Sequence, residues 1–372
     1  MADARPRLTA EYLPPPPVAE PMPEEFSSRR LGRAALILAA VGAAVVVVVV
    51  LLPGLGSLRS TFSDARPEWL AVAACLELLS CGSYVLVFRG TFCRRMRRLT
   101  SYEIATAELG ANSLLSVGGV GGLALGAWIL RRGGVPGPQI ARRTVAFFML
   151  TSLANVGALV IAGIGLWAGG LSGTSSPALT LLPAAVGIAA IGLALAARPL
   201  AARLAGRARR PRLAGALRSL ADGIDEALTL LRAGDWLIVV GAIGYMLFDI
   251  AMLGACFRVF GNEVPPGGVL VIAYLIGQLG GLIPIPGGIG GVDAGLIGAL
   301  VLYGVGLTEA TAAVLAYRAI VLWLPVALGA PSLVSLRRRL RSEAHDIAAC
   351  APGGEVEVLG RGRVTMAGPA GT

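Results

Sequence analysis

Five ionisable side chains fall inside long apolar runs of this sequence, where little water is at hand to hold a charge: Glu77, Glu108, Asp249, Asp293 and Arg318. Such groups are costly in apolar surroundings unless they are paired or hydrated, so they mark either structural ion pairs or the route of a polar cargo. Arg318 carries a permanent charge and seeks Asp249, Asp293 or a phosphate. As a phosphate clamp it would use the bidentate geometry of a guanidinium; as a structural group it would tie the last apolar run to the others. Asp293 directly follows a glycine-rich break, where a carboxylate either takes a proton or cation or accepts the exposed N–H groups of a starting helix. Glu108 and Asn112 are four residues apart and share a helix face, as do Tyr274 and Gln278. Those faces either line a polar pathway or pack helix against helix. The candidate pathway residues are therefore Arg318, Asp293, Asp249, Glu108, Asn112, Gln278 and Tyr274.

Other chemistries lack their residues. Cys75, Cys81, Cys93, Cys256 and Cys350 show neither metal-ligand nor redox-pair spacing, and their odd number argues against a disulfide framework. The sole histidine, His345, lies near the C-terminus, which removes a histidine-based triad and a multi-histidine zinc site. No Walker A loop precedes a lysine. No nucleophile, acid and base occur together, so neither a catalytic set, a cofactor nor a metal is expected.

The elements that must hold these residues are set by composition. Of 372 residues 55% are apolar and 15% charged, and the mean hydropathy is +0.75. A water-soluble domain of this size needs a more charged surface. Apolar runs at Ala34–Leu52, Trp69–Phe88, Thr144–Ser176, Pro177–Ala197, Trp236–Phe257 and Thr311–Ser335 are each long enough to cross a hydrocarbon core of about 30 Å. None alternates polar and apolar residues as a membrane barrel strand does. The valine-rich stretch Val45–Val50 would make a poor helix in water, but lipid forces the backbone to satisfy itself. A signal peptide does not fit this first run, which follows a proline-rich, charged segment and is too long.

The net charge of +10 is distributed as flanks and not as a groove. Arginines cluster at 29–33, 89–98, 131–143, 198–218 and 337–341, while the intervening connections are balanced or uncharged. By the positive-inside rule both termini and the arginine-rich connections are cytoplasmic, and the charge serves topology and anionic lipid headgroups, not nucleic acid. Asp235 and Glu103 lie near run ends and are expected to face headgroups. The localisation expected is the inner (plasma) membrane, crossed several times.

That rule exposes an anomaly in Ser101–Leu130, whose two ends are both basic. Its centre, NSLLSVGGVGG from Asn112 to Gly122, permits a break, so the segment is expected to enter from the cytoplasm and return there, or to form two short half-spans. A second break, LIPIPGGIGGVDAG from Leu282 to Gly295, is expected to enter from the outside. The breaking residues are Gly118, Gly119, Gly121 and Gly122 in the first, and Pro284, Pro286, Gly287, Gly288, Gly290 and Gly291 in the second. Gly118–Gly122 match Gly287–Gly291 at a spacing of 169 positions. Opposite orientation of two such blocks is what an inverted repeat leaves in a sequence, and in transporters broken segments of that kind form the substrate site.

The fold class expected is all-α: a polytopic helical membrane protein with six full spans and two oppositely oriented broken re-entrant hairpins. Residues 1–33 read as a disordered cytoplasmic tail, 34–340 as the transmembrane domain and 341–372 as a second tail. Within the domain, 200–231 is amphipathic at helical spacing and suited to the cytoplasmic interface.

Two stretches, PIPGGIGGVDAG at Pro284–Gly295 and YGVGLTEATAAVLAYRAI at Tyr303–Ile320, resemble the flippase-like transmembrane family, also described as the transmembrane region of lysylphosphatidylglycerol synthases. The likeness covers roughly Leu36 to Leu340, and the NSLLSVGGVGG block resembles the family's first half. It departs from the family at Asp293, where a glutamate is common, and at Ser116–Gly122, which lacks the family's paired charges. The resemblance implies translocation of a polar lipid or lipid-linked headgroup between leaflets, without a soluble synthase domain. It also implies anionic membrane lipids as partners, and a separate lipid-synthesising enzyme. A proton- or ion-coupled transporter of a small solute, or a structural or regulatory membrane protein, would use the same architecture.

Overall fold

The computed structural model describes residues 26–51, 65–115, 120–173, 176–282, 290–348 and 350. Among these residues there is no strand. The helices are α1 (Ser28–Leu51), α2 (Pro67–Phe92), α3 (Arg98–Leu115), α4 (Val120–Arg132), α5 (Gly137–Trp167), α6 (Pro177–Arg207), α7 (Pro211–Arg232), α8 (Trp236–Val259), α9 (Gly267–Gln278), α10 (Gly291–Leu302) and α11 (Leu307–Ala348). Five are long and apolar enough to cross a membrane: α2, α5, α6, α8 and α11 over Leu307–Arg339. The chain is thus an all-α polytopic membrane protein. Its outward faces agree, since Leu193, Ile161, Leu182 and Trp236 are all exposed, as expected of side chains that meet lipid.

α1 covers the first expected span but begins at Ser28, inside the stretch read as tail, and α11 continues to Ala348, beyond Leu340. The arginine-rich ends extend the helices because long cationic side chains can reach the interface while their stems stay on apolar surface. The amphipathic stretch is cut in two. α6 runs through it to Arg207, and Pro211, well suited to a helix start, opens α7. α7 lays Ala214, Ala221, Gly223, Ile224 and Ala227 against the bundle, and Glu226 pairs with Arg142 and Arg143 of α5.

Between the long helices lie two helix pairs, α3 with α4 and α9 with α10, in which α3 has 18 residues and the other three are shorter. α9 and α10 have 12 residues each and α4 has 13, or roughly 18–20 Å at 1.5 Å per residue, short of the hydrocarbon thickness. Each pair folds back on itself through glycine. A Cβ at Gly122 would lie 2.3 Å from the Glu108 carbonyl oxygen, so α4 runs directly along α3. A Cβ at Gly295 would lie 3.0 Å from the Gly277 carbonyl oxygen, and one at Gly280 would lie 2.0 Å from that of Gly291. Gly121, Gly122, Gly290 and Gly291 flank the two turns. Gly118, Gly119, Pro284, Pro286, Gly287 and Gly288 lie outside the described residues.

The 169-residue spacing recurs in the helix starts. Trp236 of α8 follows Pro67 of α2 by 169 positions, and Gly267 of α9 follows Arg98 of α3 by the same number. α4 and α10, then α5 and α11, continue the series within two residues. α2 packs on its own counterpart α8 in antiparallel fashion: Ser80 Oγ donates to the Tyr245 carbonyl (3.1 Å), Gly241 closes on Ser83, and Gly90 on Ile238. The copies therefore run in opposite directions. α3 also meets α11 antiparallel, where Gly329 closes on Thr106 and Gly110, while Thr106 Oγ1 donates to Ser332 Oγ (2.8 Å). In lipid, where burial of apolar surface supplies no drive, close approach at glycine and such hydrogen bonds hold helices together.

Two expectations are overturned here. Glu103 is buried at 6% exposure, accepting from Ser335 Oγ at 2.7 Å, because the tight α3–α11 crossing encloses it. Cys93 and Cys350 form a disulfide across a separation of 257 residues. Spacing carried no sign of it, since the returning end of α11 brings the two together. Ile347 seats on Gly133, and Gln139 Nε2 donates to the Cys350 carbonyl (2.8 Å). Asp235 accepts from the Leu237 N–H at 3.1 Å as the cap of α8 and pairs with Arg94.

Candidate functional site

α8 carries Asp249 on the face turned toward α2, and the carboxyl is 5% exposed. Two tyrosines from other elements reach it. Tyr274 of α9 and Tyr317 of α11 both donate to Asp249 Oδ2, the latter at 3.2 Å. A buried carboxyl needs such donors, because an acceptor taken from water without a replacement loses a few kcal/mol. Glu77 on α2, itself 3% exposed, lies across the α2–α8 crossing from Asp249, near enough for the two acids to act on each other electrostatically. Glu77 Oε1 accepts from the Cys81 thiol one turn along (3.6 Å). The antiparallel α2–α8 crossing at Gly241 and Ser83 brings these helix backbones close enough for two acidic side chains to meet.

Arg318 stands one residue beyond Tyr317 on α11. Its Nε lies 2.6 Å from Asp293 Oδ1, with the two side chains 13% and 19% exposed. Asp293 is held from a second direction, since its Oδ2 accepts the Gly290 N–H at 2.8 Å. Gly290 has φ +88°, a left-handed conformation that glycine adopts without strain. Asp293 thus takes the helix-start role, capping α10, and also pairs with Arg318. The Arg318 guanidinium is also near enough to act electrostatically on Asp249. One cation thus faces two acids, at the tip of the second hairpin and in the α8 core.

Glu108 forms a separate centre in the first hairpin. It is 1% exposed, and its Oε2 accepts from Tyr84 Oη at 3.0 Å. Gly122 and Gly126 leave the room it occupies, for a Cβ at Gly126 would sit 1.4 Å from Glu108 Oε1. The Tyr84 ring stands edge-on to Tyr245 with centroids 5.5 Å apart, and Tyr245 lies one helical turn before Asp249. Asn112 is half-buried next to Gly122, and Gln278 is half-buried at the last residue of α9.

Of the residues singled out from sequence, Arg318 with Asp293 and Asp249 with Tyr274 come together. Glu108 joins them only through Tyr84 and Tyr245, while Asn112 and Gln278 flank the hairpins. Sequence reasoning left Glu77 unassigned and passed over Tyr84, Tyr245 and Tyr317. Tyr245, four residues before Asp249, carried an available signal; Tyr84 and Tyr317 have no acid within four residues and carried none. Among the described residues no group of three or more His, Cys, Asp or Glu is placed to hold a metal.

Beside the acidic centre lies an apolar crevice of 920 Å³ between α2, α5, α8 and α9, lined by Trp69, Leu76, Ile250 and Gly268, with Arg258 at one end. Val72, Ile161 and Ile243 on its rim are exposed, so the crevice opens toward the lipid. Leu76 and Ile250 are the chain neighbours of Glu77 and Asp249.

No curated protein matches the chain. A family model described as the lysylphosphatidylglycerol synthase TM region matches residues 37–329, a span that takes in both hairpins, the acidic centre and the α2–α8 crossing. On that match, and on a helical membrane fold that buries Glu77, Glu108 and Asp249 inside the bundle, the chain belongs to the lysylphosphatidylglycerol synthase transmembrane-region family.

Proposed function

We propose that this protein moves a polar, anionic lipid headgroup between the leaflets of the inner (plasma) membrane. The observation that carries this reading is the Arg318–Asp293 pair: a guanidinium inside a membrane-crossing helix, held at the tip of a broken helical hairpin by an acid fixed to the turn. A lipid phosphate can displace that acid, because arginine binds phosphate in the same bidentate manner as carboxylate. The laterally open crevice supports the reading, since its apolar walls suit acyl chains while a headgroup stays inside. The hairpins are re-entrant in this scheme, entering from opposite sides and meeting near the middle, where helix ends face a polar cargo. The positive-inside rule puts both termini in the cytoplasm.

A structural reading competes, because the same ion pair ties α10 to α11. Vesicles separate the two. Purified protein in phosphatidylcholine vesicles carrying labelled phosphatidylglycerol, or a labelled polyprenyl phosphate, is expected to speed leaflet exchange over empty vesicles. Arg318→Ala is expected to lose that acceleration while eluting as the native protein does. Exchange no faster than in empty vesicles, with every probe and with or without a pH gradient, refutes the proposal.

A further inference from the structure

The function proposed above assigns no role to Glu77, a buried acid on α2. Its buried Oε2 finds no hydrogen-bond donor among the described residues, and the antiparallel α2–α8 crossing, where Ser80 bonds to Tyr245 one turn away, sets it across from the buried carboxyl of Asp249. An ionised carboxylate only accepts hydrogen bonds, so contact between two of them becomes a bond only when one holds a proton. Among the described residues no ion pair joins Glu77 or Asp249 to a cation. The neighbours are otherwise weak acids: Cys81 on α2, Tyr245 and Asp249 on α8, Tyr274 on α9, Tyr317 on α11, and Glu108 of α3 by way of Tyr84. From α5 the aromatic Phe147 meets Tyr84. Among the described residues the cation that acts on Asp249 is Arg318, itself paired with Asp293.

We infer that the Glu77–Asp249 pair is a proton-binding site that couples headgroup movement to a transmembrane proton gradient. The inference rests on the lipid reading and extends it to the energy source. The link is Arg318. With its charge directed at Asp249, the pair holds a proton less readily; a lipid phosphate that occupies Arg318 removes part of that field. Phosphate binding and proton binding then favour one another, and the coupling is reciprocal because it is a free energy shared between two sites. The step balances simply: a proton from water on one side bonds to a carboxylate oxygen of the pair, one anionic headgroup sits on Arg318, and both leave on the other side. Net charge moved is zero for a singly charged headgroup. Tyr245, one turn before Asp249, stands edge-on to Tyr84, whose hydroxyl donates to Glu108.

The test uses the full chain in phosphatidylcholine vesicles with a trapped pH dye and tail-labelled phosphatidylglycerol, whose outer-leaflet fraction is read by a membrane-impermeant quencher. At one proton per lipid, a gradient of one pH unit is expected to shift the steady leaflet ratio by about tenfold, with proton flux that depends on the anionic lipid. Glu77→Gln is expected to abolish the shift, and Glu77→Asp, which keeps a carboxyl there, to retain a measurable part of it. Native protein that exchanges lipid with the same leaflet ratio whatever the gradient overturns the coupling and leaves the lipid reading standing. Equal behaviour of the Gln and Asp variants overturns the assignment to Glu77. Native protein that exchanges neither phosphatidylglycerol nor, in the same vesicles, the labelled polyprenyl phosphate overturns the lipid reading, and the coupling with it.

Discussion

Replacing Gly126 with alanine puts a single methyl where the structure has none to spare. The added Cβ would lie 1.4 Å from Glu108 Oε1, 2.4 Å from its Cδ and 3.0 Å from its Cγ. Glu108 is 1% exposed and cannot swing into solvent, so it must give up the 3.0 Å bond from Tyr84. Losing that bond while both partners stay buried costs about 1–3 kcal/mol, and forcing a group into a packed interior costs about 1–3 kcal/mol more. Alanine returns roughly 1 kcal/mol in helix propensity, which is too little to win. The control is Gly215→Ala on α7, where nothing lies within 4 Å of the new Cβ, so only the propensity gain of up to about 1 kcal/mol remains. Thermal unfolding in detergent, followed through the buried Trp128 on α4, is expected to rank Gly126→Ala well below native protein and Gly215→Ala at or above it. A double-mutant cycle isolates the cause. In a Glu108→Ala background the clash has no target, and Gly126→Ala should cost nothing further. A penalty that persists in that background shows that Glu108 does not occupy the space beside Gly126, and refutes the account of the first hairpin.

Three further outcomes follow from separate contacts. Asp293→Asn keeps a capping oxygen and loses the ion pair, whereas Asp293→Ala loses both, so the alanine variant should be less stable by about 1 kcal/mol in the same unfolding assay. Tyr274→Phe removes a donor from buried Asp249 without altering ring packing, and a loss of about 1–3 kcal/mol is expected; Tyr303→Phe, at a hydroxyl bonded to a backbone carbonyl of α6, should cost less. Cys350→Ser frees the end of α11 from Cys93. Trypsin should then cut the arginines from Arg337 onward faster, as dithiothreitol should also achieve with native protein, while Cys75→Ser changes nothing because Cys75 is free and exposed.

The sequence exposed those parts of the molecule that depend on local composition. Membrane residence follows from apolar run length alone, and the runs at Trp69–Phe88 and Trp236–Phe257 fall within α2 and α8. The glycine breaks were legible because nothing else interrupts an apolar helix so cheaply. Arg318 and Asp293 were legible because charge in such a setting is rare. What stayed hidden depends on distance across the fold. Nothing local tells that Glu77 meets an acid 172 residues later, or that Glu103 turns inward while Asp235, with a similar place at a run end, becomes a helix cap. The disulfide was hidden for the same reason. Gly122 was read as a breaker, but its larger part is played by the hydrogen it bears in place of a side chain, which lets α4 lie on Glu108.

The repeat duplicates the scaffold without duplicating the chemistry, and that difference bears on direction. At the 169-residue spacing Gly122 and Gly126 correspond to Gly291 and Gly295, so both hairpins close through the same small-residue stripe. Yet Glu108 corresponds to Gly277, Tyr274 to Ala105, Asp249 to Ser80 and Arg318 to Met149. A symmetric pair of sites would bind a cargo equally from either side, and exchange of the two halves would leave nothing changed. Here the cation and its acids sit with the second hairpin, while the first contributes one acid and a tyrosine. Under the proposed lipid movement, arrangements open to the two sides would differ in energy, because only the second half supplies Arg318 and Asp249. A ligand shifts an equilibrium only by its difference in affinity between the two states. In the coupling proposed above, the unequal halves would supply that difference, and a proton shared between Glu77 and Asp249 would be the means by which a gradient acts on it.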